Sequence, residues 1–137
     1  MSARSVEDLY QEIGQEAVTV AGDELAGRLL VYAEVEDGVI SADLLYKTRK
    51  GPVNLVLAPS PLTEMVYELW ERWKARPGNQ EWRAMSYVVD QNGKMNIHLE
   101  YPEDVDDEGE EDVGDRRKKA VTKYFGDVTV IYPDPFA

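Results

Sequence analysis

The chain has no cysteine and only one histidine, His98. The lack of cysteine excludes disulfide bonds, thiol nucleophiles and thiolate metal sites. The sequence also contains no Gly-x-Ser-x-Gly elbow, no glycine-rich phosphate loop and no run of about 18 apolar residues that would span a membrane. Neither a catalytic nucleophile nor a transmembrane helix is predicted, and we do not expect an enzyme.

Basic residues are scarce, because 15 Lys and Arg face 27 Asp and Glu and the formal net charge is −12. A chain with this charge is repelled by phosphates, so nucleic acid is not expected as a direct ligand. The first 14 residues lack the apolar segment of a secretion signal. We therefore expect a cytoplasmic protein that needs no cofactor and binds neither nucleic acid nor membrane.

One segment accounts for most of the excess acidity. Residues 103–115 (EDVDDEGEEDVGD), called the acidic loop below, hold nine carboxylates in thirteen residues and no base. Four bases, residues 116–119 (RRKK), follow directly. Without the acidic loop, 18 acids would face 15 bases and the formal charge would be −3. Such a local concentration of charge attracts either metal ions or a basic protein.

The length of 137 residues and the apolar content of 43% predict one domain over residues 1–137, including the acidic loop and a tail over residues 127–137. Ser5, followed three residues later by an aspartate, begins a first helix that ends near Gly22. Ser60 and Pro61 begin a second helix, and a short third helix ends at Gly126.

Strand formers are concentrated in five runs, at residues 29–35, 39–46, 53–57, 82–89 and 94–101. The last run alternates, with Asn96, His98 and Glu100 on its polar side, so His98 is interpreted as a surface residue. One sheet face is expected to be buried and the other partly solvated. The sequence predicts an α+β fold with an antiparallel five-stranded sheet, helices packed on it, and the order α-β-β-β-α-β-β-α. Residues 128–132 either add a strand or lie across the surface.

The acidic loop partly matches the calcium-binding loop of an EF-hand. Oxygen ligands and a glycine fall at positions 1, 3, 5, 6, 7, 9 and 12 of that pattern, at Asp104, Asp106, Glu108, Gly109, Glu110, Asp112 and Asp115. A strand precedes the loop where an EF-hand has a helix, and Glu111 occupies the normally apolar eighth position. No specific metal site is therefore predicted, although calcium binding is kept as an alternative.

Two other features have alternative interpretations. The four bases after the acidic loop form either a solvated helix face or a counter-charge that folds back on the loop. Tyr32, Trp82 and Tyr87 are core residues by default, or else anchors at a protein interface, where aromatic residues are enriched.

Five groups of residues, in order and spacing, resemble the YezG-like (EsaG-type) immunity proteins. They are residues 10–16 (YQEIGQE), 32–38 (YAEVEDG), 68–70 (ELW), 82–85 (WRAM) with Asp90, Gly93-Lys94 and Glu100-Tyr101, and Arg116-Arg117 leading to Tyr124-Phe125-Gly126. The resemblance covers about residues 8–126 and implies a cytoplasmic antitoxin. Such a protein binds a cognate secreted toxin, typically a nuclease, and protects the producing cell.

An acidic inhibitor suits that role, because a nuclease holds phosphate with a basic surface that the inhibitor can occupy. The free protein is expected to be a monomer or a weak homodimer. The residues predicted to bind the toxin are acids of the loop and three secondary candidates: Asp104, Asp106, Asp107, Glu108, Glu110, Glu111, Asp112, Glu34, Trp82 and Tyr87. The alternatives are an acidic module that responds to calcium or other cations, and an adaptor protein that has no toxin partner.

Overall fold

The computed structural model describes residues 5–104 and 112–132. Its helices are α1 (Val6–Ala21), α2 (Ser60–Ala75) and α3 (Val113–Phe125). Its strands are β1 (Leu25–Glu36), β2 (Val39–Thr48), β3 (Val53–Leu57), β4 (Ala84–Val89), β5 (Met95–Glu100) and β6 (Val130–Ile131). Two short 3-10 turns lie at Gly22–Glu24 and Pro102–Asp104.

The described strands form one mixed sheet in the order β5-β4-β1-β2-β3-β6. The predicted α+β class is confirmed, whereas the purely antiparallel five-stranded sheet is wrong in detail. The sixth strand is parallel to β3, with Val130 opposite Val53 and Ile131 opposite Asn54. Two residues are too few to produce a period-2 pattern, so the sequence left this segment undecided.

The hairpin between β1 and β2 forms as its turn residues predict. Asp37 has φ of 52° and Gly38 has φ of 76°. Positive φ at both central residues gives a turn whose twist matches that of the two strands. The hairpin places β1 at the centre of the sheet, between β2 and β4.

Helices α1 and α2 cover one face of the sheet, called the first face. Its buried apolar residues on β1 are those with odd numbers, including Leu29 and Val31. They pack against buried apolar residues of α1, such as Leu9 and Ile13, and against the buried apolar residues of α2. The capping box predicted at Ser5 is present, since the Ser5 hydroxyl accepts from the Asp8 N–H at 3.1 Å.

Helix α3 covers the centre of the opposite, second face, so helices pack on both faces, while Asn96 and His98 of β5 on this face are exposed, as a partly solvated face predicts. Ala120 and Val121 pack there with Leu30, Leu45 and other residues of the central strands. The expectation came from the alternation of β5, which lies at the sheet edge. The polar side of an edge strand gives no information about whether a helix packs on the central strands of the sheet. Within the described residues, no helix combines the length and apolar character needed to cross a membrane.

Gly14 brings α1 unusually close to the first face. A Cβ atom at this position would lie 2.6 Å from the Tyr87 hydroxyl and 2.6 Å from the Met95 Cε. The Met95 methyl group can move, but the Tyr87 hydroxyl is held because it donates a hydrogen bond to the Tyr10 carbonyl. The absence of a side chain at Gly14 therefore fixes how closely α1 approaches β4 and β5.

We predict that Gly14→Ala lowers the free energy of unfolding by about 1–3 kcal/mol through overpacking, although Ala favours helices. Removal of the opposing hydroxyl by Tyr87→Phe should relieve the overlap. Urea denaturation of both single variants and the double variant measures this coupling. An equal cost of Gly14→Ala in both backgrounds would show that the Tyr87 hydroxyl does not limit the approach.

Candidate partner-binding surface

The acidic loop connects the end of β5 to the start of α3. Asp104 ends the 3-10 turn after β5, and Asp112 is the N-cap of α3, where its carboxylate accepts from the Asp115 N–H at 2.9 Å. The other predicted toxin-binding acids lie outside the described residues; they are Asp106, Asp107, Glu108, Glu110 and Glu111. Most positions of the EF-hand-like pattern lie outside them too. In residues 5–104 and 112–132, no group of three or more Asp, Glu or His side chains is placed to hold a metal ion.

Glu34, a secondary candidate for toxin binding, is 3% exposed and is held inside the protein. Arg116 of α3 binds it with two hydrogen bonds, from Nε to Oε2 at 2.9 Å and from a terminal nitrogen to Oε1 at 2.8 Å. The Tyr32 hydroxyl donates to Oε2 at 2.6 Å, and Arg83 donates to Oε1 at 3.3 Å. Glu34 is thus a buried structural carboxylate on the second face and not an exposed contact.

The contacts around Glu34 set its protonation. Burial by itself would raise the pKa of this carboxyl group. Hydrogen bonds from Arg116 and Tyr32, together with the charges of Arg116 and Arg83, outweigh burial, so the pKa lies below its ordinary value. Glu34 therefore remains ionised at neutral pH and compensates the two guanidinium groups beside it.

A second ion pair secures the same helix. Arg117 donates to the Asp43 carboxylate of β2 at 2.9 Å, and its guanidinium carbon lies 6.0 Å from the centre of the Tyr132 ring. The contacts of the two arginines with Glu34 and Asp43 are with carboxylates of the sheet, a role that neither interpretation of the RRKK run described. Lys118 and Lys119 are on the exposed side of α3. The two arginines therefore fasten α3 to the second face.

Trp82 and Tyr87, the aromatic candidates, lie in the core, as does Tyr32. Trp82 is 2% exposed, and its carbonyl accepts from the Trp70 Nε1 at 3.0 Å. Among the described residues, no hydrogen-bond acceptor lies within reach of the Trp82 Nε1. Tyr87 is fully buried, and burial raises the pKa of its hydroxyl well above the ordinary value. Their burial matches the default interpretation as core, although Trp82 also lines the apolar groove described next.

An apolar groove opens where α1, α2 and the edge strand β5 meet. Its volume is about 730 Å³, within the range of roughly 300–1,000 Å³ that ligand pockets show. It is lined mainly by apolar side chains of these elements, among them Val6, Tyr10, Leu69, Trp73, Ile97 and Leu99. The groove can therefore accept apolar side chains from a partner.

Acidic residues lie in the groove lining and near it. Glu7 and Asp8 line it from the first turn of α1. Arg76 binds Glu7 at 2.9 Å, and this hydrogen bond holds the pKa of Glu7 below its ordinary value. Near the groove, Glu103 accepts from the Gln80 amide at 3.0 Å, and the Gln80 carbonyl accepts from Trp73, which lines the groove. The acidic loop therefore begins beside the groove, and residues 5–27 add six acids and no base.

Sequence reasoning missed the groove because its lining comes from separate segments of the chain. The aromatic residues Trp73 and Tyr101, at the ends of predicted elements, were the available signal. No protein-family model matches the chain, and no curated protein matches its sequence.

We predict that Glu34→Gln lowers the free energy of unfolding at pH 7 by roughly 3–5 kcal/mol, because it removes the buried carboxylate that Arg116 and Arg83 share. The carboxylate has a lowered pKa in the folded state. Its contribution is complete above the ordinary pKa near 4.5 and is lost as the pH falls through the folded value. The difference between wild type and variant should therefore shrink on acidification.

Denaturant unfolding between pH 7 and pH 3 measures this dependence. Glu36→Gln is the matched control, since the Glu36 side chain is 68% exposed and lies 3.5 Å from Arg83. It should cost less than about 1 kcal/mol. Equal costs for both substitutions would contradict a special role for Glu34.

Proposed function

We propose that this protein is an immunity protein, which binds and neutralises a nuclease toxin in the cytoplasm of the producing cell without catalysing a reaction. The observation that carries the proposal is the apolar groove flanked by acids, beside the start of the acidic loop. Protein-binding hot spots are typically desolvated pockets inside a polar rim. The negative sign of the charge selects a basic partner.

A nuclease supplies such a partner, because it must hold phosphate groups with basic side chains. The acidic loop and the acids of α1 would attract this basic surface. Steering of this kind raises association rates by roughly ten- to a thousandfold at low ionic strength. The apolar groove would supply affinity, since exposed charges mainly affect the association rate and buried anchors affect dissociation.

The resemblance to the immunity proteins also supports the proposal. Residues from three of its motifs contact one another in the folded protein. The first-hairpin motif supplies Tyr32 and Glu34, the second-hairpin motif supplies Arg83, and the closing-helix motif supplies Arg116. These four residues meet in one hydrogen-bonded network. The quoted motifs thus include residues that hold the fold together.

Co-expression with a nuclease toxin domain chosen from the neighbouring open reading frames tests the proposal. Bacteria that express the nuclease domain alone should stop growing, and expression of this protein should restore growth. A catalytically inactive nuclease domain controls for general toxicity, and purified components should form a stable complex. Unrestored growth together with no complex would contradict the proposed function, and a complex that leaves the nuclease active would indicate an adaptor.

We further predict that reversing the charges at Asp106, Asp107, Glu108, Glu110 and Glu111 slows association with the nuclease domain by about tenfold or more at low salt. The rate should also become less dependent on salt, because fewer charges are screened. Stopped-flow mixing across a range of salt concentrations measures both quantities. An unchanged low-salt rate would mean that these acids do not steer the partner.

A further inference from the structure

Strand β5 forms one edge of the sheet, and three hydrogen bonds define which of its backbone groups face outward. The carbonyls of Lys94 and Glu100 accept from the backbone N–H groups of Asp90 and Arg83, on the β4 side, at 2.8 and 2.7 Å. The Met95 carbonyl instead accepts from the Tyr10 hydroxyl at 2.8 Å. Even-numbered residues of β5 therefore turn their backbone groups toward β4, and odd-numbered residues turn them away.

Ile97 and Leu99 consequently direct their backbone N–H and C=O groups toward the open edge. Within residues 5–104 and 112–132, β4 is the one strand that pairs with β5. Six residues of β5 pair with β4 in unbroken register, and the strand contains neither proline nor lysine. Edge strands that avoid pairing usually carry a bulge, a proline or a lysine. The edge of β5 has none of these protections.

The side chains of Ile97 and Leu99 line the apolar groove. A strand that pairs with β5 would place every second side chain on the same face of the sheet, next to Ile97 and Leu99. Those side chains would project into the groove. The open backbone edge and the groove are therefore two parts of one surface that fits an extended polypeptide.

We propose that an extended segment of the nuclease toxin pairs with the edge of β5 and inserts apolar side chains into the groove, while its Lys or Arg residues face Asp8 and Glu103. This inference rests on the proposed function and specifies its mode of binding. Charge favours this occupant over a second copy of the chain, because two copies would each carry a formal charge of −12.

Amide hydrogen exchange tests the backbone pairing, with the inactive nuclease domain as the probe. In the free protein the Ile97 and Leu99 amides should exchange rapidly, whereas those of Asn96 and His98, which face β4, should be protected. In the complex, exchange at Ile97 and Leu99 should slow by on the order of tenfold or more. Unchanged exchange at both amides in a saturated complex would overturn strand pairing.

A pair of substitutions on α1 tests the groove. Val6→Arg places a cation in the groove, whereas Val18→Arg makes the same change at an apolar residue of α1 that does not line it. Both variants change the net charge equally. A difference in binding between them is therefore due to the position of the arginine and not to the net charge. Val6→Arg should weaken binding of the inactive nuclease domain by about tenfold or more, and Val18→Arg by less than about twofold. Circular dichroism and thermal unfolding establish that both variants are folded.

The outcomes separate this inference from the proposed function. If the wild-type protein neutralises the nuclease but Val6→Arg binds as tightly as Val18→Arg, the groove is not the binding site and the immunity function stands. If no complex forms with the wild-type protein, the proposed function fails. Protection of Ile97 and Leu99 that rises with protein concentration in the absence of nuclease would assign the edge to self-association and overturn the inference.

Discussion

The arrangement of this protein depends on the ion pairs that the buried carboxylate of Glu34 forms. This carboxylate joins the central strand β1 to α3 through Arg116, and to the start of β4 through Arg83. A buried charge of this kind is tolerable only when its partners are fixed, because an isolated charge in the interior costs several kcal/mol. The network therefore fixes the first turn of α3 against the second face. Since the last residues of the acidic loop form the first turn of α3, the same network sets the position of that end relative to the sheet.

The two faces of the sheet have different tasks. The second face carries the buried ion pairs of Glu34 and Asp43, so specific charge contacts determine how α3 docks. The first face carries the larger apolar core with α1 and α2, and close contact at Gly14 determines how α1 docks. At the edge of the first face, α1 and α2 leave β5 incompletely covered. The groove and the open backbone of Ile97 and Leu99 are consequences of that incomplete cover, and we propose that the partner completes it.

The order and type of the first five strands and the three helices were predictable, because capping boxes, an Asp-Gly turn and hydrophobic periodicity are local signals. The sequence did not decide whether residues 128–132 form a strand, because β6 exists only through the pairing of Val130 and Ile131 with β3, and it did not show that α3 covers the second face. Its site predictions favoured the residues that stand out in the sequence. Glu34, Trp82 and Tyr87 are buried. A charge or an aromatic ring in a sequence does not by itself show whether the side chain is exposed. The groove depends on segments brought together by folding, and no local pattern predicts such a surface.

A titration of nuclease activity tests the central claim most directly. Purified nuclease domain at a fixed concentration is mixed with increasing amounts of this protein, and cleavage of a defined substrate is followed. The account predicts that cleavage falls in proportion to the added protein and ends near one equivalent, because a tight stoichiometric complex removes the basic surface from the substrate. Cleavage that continues undiminished in the presence of a large excess of the protein would contradict it.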